Sequence, residues 1–385
     1  MIWIALKMLT GDRAKYLGII FGVGFASLLI SHQVSIFVSI MGRTTHLVKN
    51  IQEGEVWVMD PNVRQVDEVI GLADDDLHRV RGVEGVAWAV KLYRGNVRAR
   101  LAEGNDDGAR GDFRGVILLG LDDSTLVGAP RKMLLGSVED LNRPDAVIID
   151  EAGYHYLFPG QPHRLGQVVE MTDKRAEIVG ICEVGQPFQS QPIFYTKYAR
   201  ALEYSPPERR LLSYIVVEPE PGVSPKELCD RITYETGLQA RTREEFKWMT
   251  IDFYLKNTGI PFNFGITVTI GFIVGVAIAG QTFYLFTIEN LKQFGALKAM
   301  GTSNRRIVGM ILVQAILVGL IGYGLGVGGT ALFFELTQTS IPLKGFHMVW
   351  QVMGGTAVVV GFIVVLASLL SIRKVLVLEP AVVFR

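Results

Sequence analysis

The sequence of 385 residues lacks the short motifs that most enzymes use to bind nucleotide phosphates or to activate a nucleophile. It contains no GxxxxGK followed by Ser or Thr, no GxSxG and no HExxH, which excludes a P-loop, a nucleophile elbow and a zincin site. It also lacks net charge, with 38 basic and 38 acidic side chains, so its composition gives no reason to expect a nucleic-acid partner. We predict that the chain is not an enzyme, with no catalytic residues and no directly bound cofactor.

Candidate metal ligands are also few. The sequence has six histidines and two cysteines, and they form no cluster with zinc-ligand spacing. His155 and His163 flank the segment YLFPGQP. Two isolated imidazoles eight residues apart are more typical of surface or packing positions, so the sequence predicts no metal site.

Four long stretches contain no Asp, Glu, Lys or Arg. They are Tyr16 to Gly42, Phe264 to Ile288, Ile307 to Phe334 and Met348 to Ile372. A helix of this length measures about 37–42 Å, and the hydrocarbon core of a bilayer is about 30 Å thick. Buried helices of a soluble protein are rarely so long and free of charge. The sequence therefore predicts four transmembrane helices.

Basic residues beside the short loops set the orientation of these helices. They precede the first helix, separate the second from the third, and follow the fourth, as Lys7, Arg13, Lys15, Lys292, Lys298, Arg305, Arg306, Arg373, Lys374 and Arg385. We predict a multi-pass protein of the inner (cytoplasmic) membrane with both termini in the cytoplasm. The predicted division is 1–42 for a cytoplasmic amphipathic segment and the first helix, 43–261 for an extracytoplasmic domain, 262–288 for the second helix, 289–304 for a short cytoplasmic helix and turn, 305–334 for the third helix, 335–347 for an outer loop, and 348–385 for the fourth helix and tail.

The predicted outer domain has an α+β pattern. Strand-like and helical segments alternate at both of its ends, which favours a split βαβ layer. Between them, at about 124–200, lies a β-rich insert with strand signals separated by Gly and Pro. The segment 105–112 is typical of an exposed hairpin tip. Cys182 and Cys229 both lie in this domain, where they could form a disulfide or remain as two buried thiols.

Small residues recur four apart in the apolar stretches. The pairs are Gly18 and Gly22, Gly271 and Gly275, Gly322 and Gly326, and Gly324 and Gly328. This spacing allows helix backbones to approach closely in a membrane. We predict helix packing at Gly271, Gly275, Gly322 and Gly326.

A charged helix interrupts the apolar C-terminal region at 288–300. Glu289, Lys292, Gln293 and Ala296 fall on one narrow polar strip, and Leu291, Phe294, Leu297 and Met300 form a broad apolar arc beside it. Gly301 is well placed to end the helix. The membrane interface or a protein groove must cover the apolar arc.

The segment ENLKQFGALKAMGTSNRRI resembles the cytoplasmic segment of MacB/FtsX-type (type VII) ABC transporter permeases. Its residues LKQFGALKAMG are similar in particular to those of the DevC-like branch. The matching positions are Glu289, Phe294, Gly295, Leu297, Lys298, Ala299 and Gly301. The N-terminal WIALKMLTGDRAKY, the order of helices and the ending LEPAVVF extend the resemblance over most of the chain. Full-length MacB carries a fused ATPase, and this sequence departs from it there.

The resemblance implies a permease subunit that transmits ATP-driven movement to its periplasmic domain. ATP and Mg²⁺ would bind a separate ABC ATPase, and two permease subunits would form a homodimer or a close heterodimer. The short helix would contact the ATPase through Glu289, Leu291, Phe294, Gly295, Leu297, Lys298 and Gly301, with Leu291, Phe294 and Leu297 as anchors. A periplasmic membrane-fusion adaptor and a TolC-like outer-membrane protein would complete a tripartite efflux system. The alternative is an FtsX-like transducer that activates a periplasmic enzyme or sensor without transport, and the β-rich insert favours export because it offers a surface for an adaptor.

Overall fold

The computed structural model describes residues 2–11, 13–101, 113–206, 211–338 and 345–377. The predicted hairpin tip at 105–112, residues 339–344 of the predicted outer loop and the tail from residue 378 lie outside these ranges. The chain divides into two compact units. The apolar unit comprises Met1–Ser39 and Gly259–Arg385, and the extramembrane unit is Ile40–Thr258, close to the predicted domain at 43–261.

Among the described residues, helices and strands alternate along the extramembrane unit, and the elements of the apolar unit are helices. The helices are α1 (Ile2–Gly11), α2 (Arg13–Thr44), α3 (His46–Asn50), α4 (Asp74–Arg81), α5 (Glu151–Leu157), α6 (Tyr198–Tyr204), α7 (Pro225–Thr236), α8 (Arg243–Asn257), α9 (Ile260–Glu289), α10 (Leu291–Ala299), α11 (Asn304–Thr337) and α12 (Trp350–Val377). The strands are β1 (Val56–Met59), β2 (Val86–Leu101), β3 (Arg114–Leu121), β4 (Met133–Leu135), β5 (Ala146–Asp150), β6 (Val168–Met171), β7 (Lys174–Cys182), β8 (Ile193–Lys197), β9 (Tyr214–Pro219) and β10 (Gln239–Thr242). A 3-10 helix at Val138–Asn142 precedes β5.

Four helices of the described chain are long and apolar enough to cross a bilayer. Their apolar spans are Tyr16–Thr44, Ile260–Glu289, Asn304–Thr337 and Trp350–Leu369. They belong to α2, α9, α11 and α12, and each has the length that a hydrocarbon core requires. The prediction of four membrane helices beside an α+β domain is confirmed.

The four glycines predicted for helix packing all face α2. A Cβ added at Gly275 of α9 would lie 2.5 Å from the Cβ of Ala26. One added at Gly326 of α11 would lie 2.5 Å from the Cβ of Ser27. A Cβ added at Gly322 of α11 would lie 2.8 Å from the Cγ1 of Val23. One added at Gly271 of α9 would lie 3.6 Å from the Cγ1 of Ile30, which is an ordinary contact distance. The backbones of α9 and α11 therefore approach α2 more closely than any larger residue allows at Gly275 and Gly326.

The first sheet of the extramembrane unit has the strand order β10-β1-β9-β2. All three neighbouring pairs are antiparallel. Helix α4 joins β1 to β2 and α7 joins β9 to β10. In the sheet, β9 therefore lies between β1 and β2, and β1 lies between β9 and β10. This is the split βαβ layer expected from the sequence, with a ferredoxin-like order. Alternate residues of β1 enter two cores, with Val56 and Val58 in one and Trp57 and Met59 in the other.

The β-rich part forms a closed ring. Beginning with the second half of β2, the pairings run β2-β3-β8-β5-β7-β6 and return to β2, with β4 beside β7. The ring begins at Tyr93, where β2 starts to pair with β3. The β-rich part therefore starts about thirty residues before the predicted 124, because β2 is one continuous strand of 16 residues that serves both sheets.

Both cysteines are buried and unpaired. Cys182 ends β7 and Cys229 lies on α7. Burial raises the pKa of both thiols, that of Cys229 to about 12. Of the two alternatives that the sequence left open, the structure contains the pair of buried thiols.

Candidate functional site

Helix α10 is a separate short helix between the two spans α9 and α11. At Asn290 the chain leaves α9, and the side-chain amide of Asn290 donates to the carbonyl of Phe286 at 2.8 Å. At the other end Gly301 has φ +86, a conformation that glycine adopts without strain. The Gly301 N–H donates to the Lys298 carbonyl and the Thr302 N–H to the Leu297 carbonyl. These two bonds form a Schellman motif, so Gly301 ends the helix as the sequence predicts.

The apolar side of α10 faces its own chain. Phe294 is 0% exposed and packs with Ile307, Ile311 and Ile372 from α11 and α12. Leu297 is 9% exposed and packs with Ala5 and Met310. Neither side chain offers a surface to another protein in this arrangement. The expected contact of Phe294 and Leu297 with an ATPase stays a prediction, and in this arrangement α1, α11 and α12 cover the two side chains.

Helix α1 also packs against α10 and α11. Ala5 and Leu9 are fully buried, and Met8 packs against the residues around both Phe294 and Leu297. The side-chain amide of Gln314 on α11 donates to the backbone carbonyl of Ala5 at 2.7 Å. This buried hydrogen bond fixes α1 along α11, so that α1, α10 and α11 form one packed group.

The opposite side of α10 is open. Lys292, Gln293 and Ala296 are exposed, and Met300 is 74% exposed at the end of the helix. Among the other predicted contact residues, Glu289 is exposed, Leu291 and Lys298 are half-buried, and Gly295 is buried. The surface is basic, since Arg305 and Arg306 at the start of α11 are exposed as well. We name Lys292, Gln293, Ala296 and Met300 the outer face of α10.

One group of possible metal ligands lies elsewhere, in the extramembrane unit. Within the described ranges, Glu151, His155 and His163 bring their ligand atoms to within 4.8 Å of one another. The sequence predicts no metal site at the two histidines, because nothing in their spacing shows that the loop after α5 returns to the helix. The only signal was the combination of Gly and Pro in YLFPGQP, which is typical of a turn.

Two sequence families match this chain. The family described as the MacB-like periplasmic core domain matches residues 16–234, more than half of the chain. The family described as the FtsX-like permease C-terminal matches residues 265–380. The second match includes α10 and the spans on both sides of it.

Individual relatives match parts of the chain. An uncharacterized ABC transporter permease of Mycobacterium tuberculosis is 32% identical over 119 residues, which cover 29% of this chain and 31% of the relative. The macrolide export ATP-binding/permease protein MacB of Escherichia coli K12 is 23% identical over 300 residues, which cover 74% of this chain and 43% of MacB. The matched region thus spans less than half the length of either relative.

Two solved structures resemble the chain at low identity. The periplasmic region of MacB from Actinobacillus actinomycetemcomitans has a TM-score of 0.37 and 14% identity, with 52% of this chain and 94% of that one covered. The extracellular domain of the ABC-type transporter YknZ from Gram-positive bacteria has a TM-score of 0.35 and 18% identity, with 49% and 98% covered.

Proposed function

Since this chain belongs to the MacB/FtsX-type ABC transporter permeases, we propose that it is the membrane subunit of an export pump driven by a separate ABC ATPase. In this proposal ATP and Mg²⁺ bind the ATPase, and the permease passes its movement to the extramembrane unit. Two copies of the permease form a homodimer in the inner membrane, with both termini in the cytoplasm. The predicted membership of the DevC-like branch belongs to the same proposal.

The observation that carries this proposal is the construction of α10. A short helix between two membrane spans has its apolar side packed against α1, α11 and α12 and its other side open. A push on the outer face of α10 therefore acts on a packed group of helices rather than on a loose loop. Because packed groups move as units, such a helix is suited to transmit force from a partner.

The charge of this region indicates the kind of partner. Lys292, Arg305 and Arg306 are exposed close together in sequence on either side of Gly301. An ATPase groove with acidic side chains would complement them, and Met300 would supply the apolar contact at the centre. We propose these contacts in addition to the predicted anchors Leu291, Phe294 and Leu297.

The extramembrane unit is the proposed partner of the remaining pump components. It offers the ring of β2, β3, β8, β5, β7 and β6 as a surface for a periplasmic membrane-fusion adaptor, which would connect to a TolC-like outer-membrane duct. The relative MacB is named for macrolide export. We propose export of a substrate from the periplasmic side for this chain as well, without assigning its chemistry.

The coupling role is tested with the double variant Lys292→Glu and Met300→Asp. Both side chains are exposed, so the change leaves the packing of α10 intact while reversing one charge and adding another. We expect the complex with the cognate ABC ATPase to weaken by about tenfold or more, as for the loss of central interface contacts. The measurement is co-purification from detergent, together with the ATPase activity of the reconstituted complex.

The control is Tyr234→Asp, which adds a charge at a side chain on α7 that is 91% exposed. This variant should bind the ATPase like the original chain. Equal ATPase recovery with the double variant and with the control would refute the coupling role of the outer face. Recovery of a hydrolase or sensor in place of an adaptor would support transduction over export.

A further inference from the structure

A compact group of metal-ligand side chains lies on α5 and on the loop that follows it. Glu151 and His155 lie four residues apart on α5, which places them on one face of the helix. His163 lies in the loop that follows α5 and returns to it. The Nε2 atoms of His155 and His163 are 3.1 Å apart, and a carboxylate oxygen of Glu151 lies within 4.8 Å of both rings.

The loop that holds His163 is fixed on both sides of that residue. The fully buried Tyr154 hydroxyl donates to the carbonyl of Pro162 at 3.0 Å and accepts from the N–H of Arg164 at 3.0 Å. Its ring also contacts the His163 ring edge-on, with centroids 5.4 Å apart. One buried side chain of α5 therefore sets the position of the imidazole that comes back to the helix.

Hydrogen bonds to Asp150 fix the start of α5. Asp150 is buried, and its carboxylate accepts from the N–H of Gly153 at 3.0 Å and from the N–H of Ile193 at 2.6 Å. The side-chain amide of Gln186 donates to the same carboxylate at 3.1 Å. These bonds hold the first turn of α5 against β8, and with it the backbone of Glu151.

We propose that Glu151, His155 and His163 bind a transition-metal ion, Zn²⁺ in preference to Mg²⁺ or Ca²⁺. Two imidazole nitrogens bound to tetrahedral Zn²⁺ at 2.0–2.1 Å lie about 3.3 Å apart, close to the 3.1 Å separation of His155 and His163. The flexible glutamate side chain has to move its oxygen by at most about 1.5 Å, from 4.8 Å to about 3.3 Å from the nitrogens, to complete the set. Nitrogen ligands select Zn²⁺ over the hard cations, which bind through oxygen.

We expect water at the fourth coordination position. All three ligand residues are half-buried, so each is partly accessible to solvent. Three protein ligands and one exchangeable water form an open zinc site, as distinct from the closed four-ligand sites that are purely structural. Lys132 lies close enough to influence Glu151 electrostatically, but its ammonium group is bound to Glu183 at 2.5 Å.

The alternative is that the two imidazoles form a hydrogen bond and nothing more, one neutral ring donating to the other. The two interpretations differ in what they predict for added metal. A zinc site joins α5 to the loop at His163 and stabilises the folded chain as metal binds, since the unfolded chain lacks the preformed group. A hydrogen-bonded pair gains nothing from Zn²⁺.

The experiment uses the full chain in detergent, purified with a tag that contains no histidine and stripped of metal with a chelator. We expect one Zn²⁺ per chain by mass spectrometry of the metal after gel filtration, and a rise in the melting temperature with Zn²⁺ but not with Mg²⁺. Binding of Co²⁺ should produce the visible absorption of a four-coordinate ion. Absence of bound metal from the original chain would overturn the proposal.

Variants assign the metal to these residues. His155→Ala and His163→Ala should each lose the bound Zn²⁺ and the stabilisation, while His78→Ala, an exposed histidine on α4, should retain both. Tyr154→Phe keeps the ring but removes the hydroxyl that holds the loop, and it should weaken Zn²⁺ binding about 10–100-fold. Circular dichroism monitors folding. Undiminished binding in the doubly substituted His155→Ala and His163→Ala chain would also overturn the proposal.

Discussion

His46 is a buried imidazole without a complete set of hydrogen-bond partners. It lies on α3, its Nδ1 is 3.2 Å from the carbonyl of Arg43, and its Nε2 has no partner among the described residues. Burial lowers the pKa of His46 to about 4, against the weaker opposing effect of Asp67, and the nearby charge of Arg94 lowers it further. The side chain is therefore neutral in the folded protein at neutral pH.

This shift predicts a loss of stability in mild acid. An unfolded histidine has a pKa of about 6.5 and takes up a proton as the pH falls below that value, whereas folded His46 takes it up only near pH 4. The unfolded state thus binds more protons between these values, and the free energy of unfolding falls. We expect His46 to contribute a loss of about 2 kcal/mol between pH 7.5 and pH 5.

The measurement is melting of the detergent-solubilised chain by tryptophan fluorescence, which includes the fully buried Trp57. His46→Leu removes the titrating group, so its melting temperature should change less between pH 7.5 and pH 5 than that of the original chain. The comparison uses the difference between the two pH values, which cancels any general effect of the substitution on packing. Identical pH dependence in both chains would contradict the assignment.

At the scale of single residues, the sequence predicts which side chains share a helix face but not what covers that face. The 3.6-residue period correctly separated the polar strip at Lys292 and Gln293 from the buried Phe294 and Leu297, but it placed the exposed Met300 with the latter. It could not say what covers the apolar arc, since α1 and α11 are brought there by tertiary packing. His155 and His163 show the same limit, because their distance depends on the path of the loop held by Tyr154.

Helix α11 carries glycines on two faces with different surroundings. A Cβ at Gly326 would lie 2.5 Å from the Cβ of Ser27, 2.6 Å from the carbonyl oxygen of Gly24 and 2.6 Å from the amide nitrogen of Leu28. A Cβ at Gly328 would meet nothing within 4 Å. The two positions differ by only two residues in one helix, which makes them a matched pair.

We expect Gly326→Ala to destabilise the apolar unit and Gly328→Ala to leave it unchanged or slightly more stable. The first change forces α11 away from the backbone of α2, at a cost of about 1–3 kcal/mol. The second gains the helix propensity of alanine, up to about 1 kcal/mol. The measurement is the melting temperature of each variant in the same detergent. Equal melting temperatures for the two variants would contradict the close approach at Gly326.

The elements were predictable where a local pattern determines them. The four spans follow from uncharged length, and the end of α10 follows from Gly301. The beginning of the strand ring did not follow, because the alternation of apolar residues in β2 continues unbroken from the pairing with β9 into the pairing with β3. A strand that changes partners keeps the same side-chain period, so the sequence does not reveal where one sheet ends.

At the scale of the whole molecule, the orientation of the chain in the membrane can be measured by cysteine labelling, because both native thiols are buried. Cys182 is 0% and Cys229 1% exposed, and burial raises the pKa of each. A thiol in this state reacts slowly with maleimides, since the thiolate is the nucleophile. The original chain should therefore give little labelling, and a single introduced cysteine reports its own side of the membrane.

The proposed orientation predicts opposite reactivity for two exposed positions. Tyr234→Cys on α7 should react with a membrane-impermeant maleimide in intact spheroplasts, whereas Met300→Cys at the end of α10 should react only after the membrane is opened. Both positions are well exposed, at 91% and 74%, so a difference between them reflects access across the membrane and not burial in the chain. The reverse pattern would place α10 outside, where no cytoplasmic ATPase could reach its outer face, and the proposed transmission of ATP-driven movement would fail even though the fold remained as described.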